Sequence, residues 1–205
     1  NTSIGPVAVD PATASTLYAV IDALIFQSAD GGSTWVSRSA GLPTSAINAL
    51  ATDPATATTL YAGTNGSGVY WSTNAGATWA PRRTGLPPDN IFALAIDPVS
   101  TTTLYAGTFD GVFRSTDAGA TWTLRSTGMT DLRVRTVALD PANPATLYAG
   151  TDGGVFQSMD GGGTWAPRNV GLTVLPVRAL VVHPSSPETL YAATNGGGVF
   201  WSTDS

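Results

Sequence analysis

The chain carries nine arginines and no lysine, and three of those arginines, Arg133, Arg135 and Arg178, could act together. Arg135 and Arg178 each stand five residues before a turn, Asp140-Pro141 and His183-Pro184. Gly5, Asn48 and Phe92 hold the same place before Asp10-Pro11, Asp53-Pro54 and Asp97-Pro98. A guanidinium grips a carboxylate through two parallel N–H donors, so equivalent arginines at one mouth would bind an anion. The alternative is a pair held by Asp131 or another rim acid and facing solvent. The acids Asp22, Asp89, Asp110, Asp131 and Asp152 lie in glycine-rich loops. Asp89 and Asp131 occupy similar loops of consecutive segments, the arrangement that a glycosidase pair would need, with one acid held protonated. Asp is also a common turn former, which explains the same residues without chemistry. The segments Thr64–Ser72 and Thr194–Ser202 share T-N-G-[SG]-G-V-[YF]-W-S. They offer Asn65 with Trp71 and Asn195 with Trp201 as sugar-stacking candidates, against a plain packing role for the rings.

Composition narrows the chemistry further. With no cysteine there is no thiol nucleophile, disulfide or zinc-thiolate site, and His183 is the single histidine. It replaces the Asp of the repeated Asp-Pro turn, which makes it a turn residue before a base or a ligand. No cofactor or metal site is expected, because each repeated S-x-[DN]-x-G-x-T-W segment carries one carboxylate and calcium needs several oxygens. Net charge is −5, with 13 Asp and one Glu, so a basic stripe for nucleic acid is not expected. No run of about 20 apolar residues is present, which excludes a helical membrane span. An acidic chain without lysine or cysteine leans toward a secreted or extracytoplasmic bacterial protein.

The elements that place these residues follow from a repeat. Thr-Leu-Tyr-Ala recurs five times, its tyrosines Tyr18, Tyr61, Tyr105, Tyr148 and Tyr191 spaced by 43, 44, 43 and 43 residues. A second marker, S-x-[DN]-x-G-x-T-W, appears four times in register. Its conserved-type positions are Ser28, Asp30, Gly32 and Trp35; Ser72, Asn74, Gly76 and Trp79; Ser115, Asp117, Gly119 and Trp122; Ser158, Asp160, Gly162 and Trp165. Each unit reads as four short strands, in the third unit Ile91–Asp97, Thr103–Thr108, Val112–Ser115 and Thr121–Arg125. Four strands per unit of this length, without helical periodicity, predict an all-β propeller. The units run approximately 1–43, 44–87, 88–130, 131–173 and 174–205, giving a single domain over 1–205. A fifth marker starts at Ser202, so the last blade is expected to lack its outer strand. Such a chain fits a five-bladed ring, a fragment of a longer array, or a piece that closes with copies of itself.

The marker's expected mechanics are an Asx-type turn at the Asp, a positive φ at the Gly, and a Trp ring buried between neighbouring sheets. With these residues the chain resembles the Asp-box, or bacterial neuraminidase repeat, family along its whole length. The resemblance implies that the box lies between the third and fourth strands, away from the ligand face. That face would be shared by the loops between second and third strands and those leading into each first strand. Sialidase chemistry does not carry over. Five tyrosines belong to Thr-Leu-Tyr-Ala, Tyr70 takes a packing position, Glu188 falls on the opposite face, and the F-R-I-P type arginine motif is absent. Xyloglucan-cleaving glycosidases of this repeat use two aspartates facing a cleft between two propellers, of which one propeller offers at most half. The texture G-V-F-x-S-x-D-G-G-x-T-W is closer to sortilin-type and photosystem-assembly propellers, which are binding scaffolds. The expectation is therefore a non-catalytic propeller presenting rim loops to a protein, peptide or glycan. A glycoside-active domain using Asp89 and Asp131 is the alternative. Arg38, Arg82, Arg125 and Arg168, three residues after each Trp, are read as structural.

Overall fold

The structure, a computed structural model, describes residues 3–204. Five small antiparallel sheets stand in a ring as the blades of a β-propeller, and each is a meander in chain order. The first blade is β1 (Ile4–Val9), β2 (Leu17–Ile21), β3 (Leu24–Ser28) and β4 (Val36–Ser37). The second is β5 (Ile47–Thr52), β6 (Leu60–Thr64), β7 (Val69–Ser72) and β8 (Ala80–Pro81). The third is β9 (Ala93–Ile96), β10 (Leu104–Thr108), β11 (Gly111–Ser115) and β12 (Thr123–Leu124). The fourth is β13 (Val134–Leu139), β14 (Leu147–Thr151), β15 (Gly154–Ser158) and β16 (Ala166–Pro167). The fifth has three strands, β17 (Val177–Val182), β18 (Leu190–Thr194) and β19 (Gly198–Ser202).

The repeated Leu-Tyr-Ala-Gly-Thr strand is buried on both faces in the three middle blades. Its tyrosine faces the next blade, where Tyr61 joins Ile91, Leu104 and Trp122 in one core cluster, and Tyr105 joins Val134, Leu147 and Trp165. Its glycine lets the next blade's first strand approach. A Cβ at Gly63 would lie 2.6 Å from Ile91 Cγ2, and one at Gly150 2.7 Å from Val177 Cγ1. Four tyrosines are thus 1% exposed, whereas Tyr191 of the last blade is 40% exposed. That face also presents Val199 and Trp201, while the first blade presents Ile4, Val7 and Val9.

The S-x-[DN]-x-G-x-T-W turn works through its serine as much as its acid. Ser115 Oγ is buried, donates to Asp117 Oδ1 (2.7 Å) and accepts from Gly119 N (2.9 Å). Asp117 reaches four residues on, rather than the two expected, accepting from Thr121 N (2.9 Å) and Thr121 Oγ1 (2.6 Å). The serine already serves the nearer amides, so the carboxylate caps the far side of the turn. These bonds, chiefly those to the threonine, hold Asp30, Asp117 and Asp160 down at about 2. Asn74 keeps the geometry by turning its amide donor toward Thr78 Oγ1 (2.8 Å).

The tryptophans then tie blade to blade. Trp79 Nε1 donates to Arg38 O (2.8 Å), Trp122 Nε1 to Arg82 O (3.0 Å) and Trp165 Nε1 to Arg125 O (2.8 Å). Trp35, in the first blade, turns its indole to Gly32 O of its own turn (3.0 Å) and stays partly exposed. Three of the four repeated arginines have structural partners: Arg38 and Arg168 donate to Gln27 and Gln157, and Arg82 lies 3.9 Å over the Trp71 ring.

Candidate functional site at the channel mouth

All five residues at the place five before the turn, Gly5, Asn48, Phe92, Arg135 and Arg178, line one open cavity of about 460 Å³. The local cause is a defect in pairing. In β1, β5, β13 and β17 the ladder slips by one residue, between Ile4 and Val7, Ile47 and Ala49, Val134 and Thr136, and Val177 and Ala179. Asn48, Arg135 and Arg178 are the residues left out of register. A bulge re-aims the side chain of its extra residue, and here that direction is the channel.

The same mouth receives the loops between second and third strands. In the first, second and fifth blades the loop is stitched to the entering first strand by a backbone bond, Asp22 N to Ser3 O, Asn65 N to Ala46 O and Asn195 N to Pro176 O, and in the third Phe109 N donates to Asp89 Oδ2 (3.0 Å). Asp152, in the loop between β14 and β15, accepts from Arg135 through two parallel bonds, Nε to Oδ1 and Nη2 to Oδ2, both 3.0 Å. Arg178 Nη1 lies 3.8 Å from Oδ1, and Arg133 Nη1 3.8 Å from Oδ2. The hydrogen bond from Arg135, with help from all three positive charges, holds the Asp152 carboxyl below its ordinary range. Behind this cluster Phe92 and Phe109 pack with ring centroids 4.5 Å apart, and the Arg135 guanidinium sits 5.0 and 4.8 Å from them.

Three guanidinium groups thus share one carboxylate, leaving a formal surplus of two positive charges. Arg135 is satisfied by Asp152 and its aromatic bed. Arg133 and Arg178 are more exposed, and Arg178 also lines the cavity. A guanidinium with unused donors is chemically suited to pair with a carboxylate or another small anion.

The structure brings Arg133, Arg135 and Arg178 together around Asp152, a rim acid such as the alternative reading allowed beside Asp131. Asp131 Oδ1 accepts instead from the Arg133 backbone N–H (2.9 Å), because its loop turns back on itself there. Asp89 is likewise a backbone cap, taking Asn90 N (2.6 Å) and Phe109 N (3.0 Å). Trp71 is no open stacking platform: it packs beside the Tyr61 cluster under Arg82, its Nε1 buried without a partner. Trp201 is exposed, on the same face of the last blade as Tyr191. Asn65 and Asn195 are exposed in their loops, on blades two and five. His183 serves the turn as expected, its Nδ1 accepting from Ser185 N (3.2 Å) and Ser186 N (3.0 Å). Phe109 was not legible as a site residue. The available signal was that it breaks the repeat, standing where the fourth unit has Asp152.

No family model matches the chain, and no curated protein matches it. Among solved structures it is similar to the GH74 enzyme of Niastella koreensis, with TM-score 0.81, 24% identity, 98% of this chain and 37% of that one. It is similar to the extracellular domain of a one-component system from B. thetaiotaomicron, with TM-score 0.73, 16% identity, and 93% and 26% covered. It is also similar to YCF48 bound to D1 peptide, with TM-score 0.70, 17% identity, and 100% and 66% covered. The chain spans 27%, 37% and 44% of the three GH74 structures it matches. At these identities the likeness shows the propeller fold alone.

Proposed function

We propose that the protein is a non-catalytic binding propeller of the Asp-box type whose channel mouth takes a carboxylate-bearing peptide or protein segment. The observation that carries this reading is the Arg133–Arg135–Arg178 cluster around Asp152. Its bidentate core is already neutralised, while two arginines remain to meet an incoming anion beside an aromatic floor. Peptide binding is supported by analogy with YCF48, described with a peptide bound. An extracytoplasmic setting is supported by the extracellular domains among the structural neighbours. Glycoside hydrolysis is disfavoured because Asp89 and Asp131 are both engaged as backbone caps.

A panel of acidic, neutral and basic peptides, measured by calorimetry, tests the reading. Acidic peptides should bind, and Arg133→Ala with Arg178→Ala should weaken them at least about tenfold without altering the fold. Equal affinity in the double variant would remove the site. Hydrolysis of a glycoside that Asp89→Asn and Asp131→Asn abolish would favour the enzymatic alternative.

A further inference from the structure

The seam between the third and fourth blades departs from its neighbours at one pair of side chains. In the other four-stranded blades the residue opposite the repeated tyrosine partners the arginine just after the fourth strand. Gln27 and Gln157 each donate to the tyrosine hydroxyl (3.0 Å) and accept from Arg38 Nε (2.9 Å) and Arg168 Nε (2.8 Å). In the second blade Arg82 lies over the Trp71 ring instead. In the third blade both places hold arginine: Arg114 pairs with Tyr105 across the ladder, and Arg125 follows β12. Guanidinium groups only donate, so neither can satisfy the other.

Among the described residues, neither of these two side chains makes a hydrogen bond or an ion pair. Arg114 Nε is buried with no acceptor, and its guanidinium carbon lies 5.8 Å from the Tyr105 ring. A Cβ at Gly161 would lie 3.4 Å from Arg114 Nη1, and one at Gly162 3.5 Å from Arg125 Cβ, so both arginines stand against the bare glycine turn of the fourth blade. The Tyr105 hydroxyl, which has no glutamine beside it, donates to Gly161 O (3.3 Å). Burial pushes the Tyr105 phenol up against the pull of Arg114 and Arg125, with Asp97 adding to the push, so both positive charges converge near that hydroxyl. The acids at this seam are engaged elsewhere. Asp97 caps Val99 N and Ser100 N, and Asp160 caps Thr164.

We propose that this seam binds a doubly charged tetrahedral oxyanion, a sulfate or phosphate group, between Arg114 and Arg125. Its oxygens accept from the Nη groups of Arg114 and from Arg125, replacing the amide oxygen that Gln27 and Gln157 supply in their own blades. Two positive charges with no acid in ion-pair contact match a dianion, whereas a single carboxylate leaves one of them uncompensated. The site is separate from the channel mouth, where Asp152 already pairs with Arg135.

The test follows the arginine Nε–Hε signals of the 205-residue chain while sodium sulfate replaces sodium chloride at constant ionic strength. Saturable shifts at Arg114 and Arg125 are expected below about 10 mM sulfate, with acetate at least about tenfold weaker. Arg114→Gln rebuilds the amide–arginine pair of the first and fourth blades, so this variant should fold. It should weaken sulfate at Arg125 at least about tenfold while the channel-mouth arginines respond as before. Glycerol phosphate separates two sources of the ligand. Comparable shifts support a monoester on a larger molecule, and shifts at least about tenfold weaker support the free ion. Absence of saturable shifts at Arg114 and Arg125 overturns the proposal, as do equal shifts over all nine arginines or sulfate binding at Arg125 that Arg114→Gln leaves undiminished.

Discussion

Asp152→Asn is the substitution that weighs most on the site. It keeps the shape of the side chain and one acceptor oxygen, but removes the charge that three guanidinium groups share. Each charge-assisted bond from Arg135 is worth about 1.5–3 kcal/mol when well enclosed. At a pair whose side chains are 20% and 25% exposed, solvent screening lowers that value. The loss of attraction to Arg133 and Arg178 at 3.8 Å adds up to about 1 kcal/mol each at low salt. Together these give a destabilisation of about 2 kcal/mol at pH 7, or about 4–8 °C in Tm for a chain of this length. The loss should shrink in about 0.5 M salt, where the exposed arginines are screened. The sign with pH follows from the lowered carboxyl. Its contribution is present above the unfolded value of about 3.9 and is lost as pH falls through the lower folded value. Native and variant should therefore converge in acid. Thermal melts of both proteins, at two salt concentrations and from pH 7 to pH 3, decide the matter. A variant that melts within a degree of the native chain at low salt would refute a structural role for Asp152 at the mouth.

Other parts of the account are open to equally direct checks. Gly150→Val should cost at least about 1–3 kcal/mol in urea denaturation, because its Cβ would meet Thr136 Cγ2 at 2.6 Å and Val177 Cγ1 at 2.7 Å. Ser115→Ala leaves Gly119 N and Asp117 without their buried partner and should lower stability by about 1–3 kcal/mol. Trp122→Ala, at 4% exposure, should cost about 3–5 kcal/mol, and Trp122→Phe less, since it loses mainly the bond to Arg82 O. Asp30, Asp117 and Asp160 titrate at about 2, so their contribution is held at pH 4 and lost between about pH 4 and pH 2. Acid melts of Asp117→Asn should show a shallower decline over that window, as Asn74 already performs this role without charge.

The repeat made the architecture readable because each unit must solve the same packing problem. Tyr105 needs a neighbour to bury it, Gly107 needs to be bare for Val134, and Trp122 needs the carbonyl of Arg82. Counting back from the Asp-Pro turn also placed Arg135 and Arg178 at the channel, since equivalent positions on a ring face one axis. What could not be read was which acid would answer them. Asp131 and Asp152 both sit in mouth loops. Only the turn at Asp131, which spends its carboxylate on the Arg133 amide, and the bulge at Arg135 decide for Asp152. Trp71 and Trp201 have similar local sequences and opposite surroundings, because Arg82, just after the fourth strand of the second blade, covers Trp71, and the described residues of the last blade include no such strand.

The central claim is that the channel mouth binds an anionic segment through Arg133 and Arg178. The most direct measurement follows the arginine Nε–Hε and backbone amide signals while a short glutamate-rich peptide is added at low salt. The account predicts saturable shifts at Arg133, Arg178, Asn48 and Phe92, with Arg38, Arg125 and Arg168 unmoved. Shifts spread evenly over all nine arginines, or none at the mouth, would contradict it.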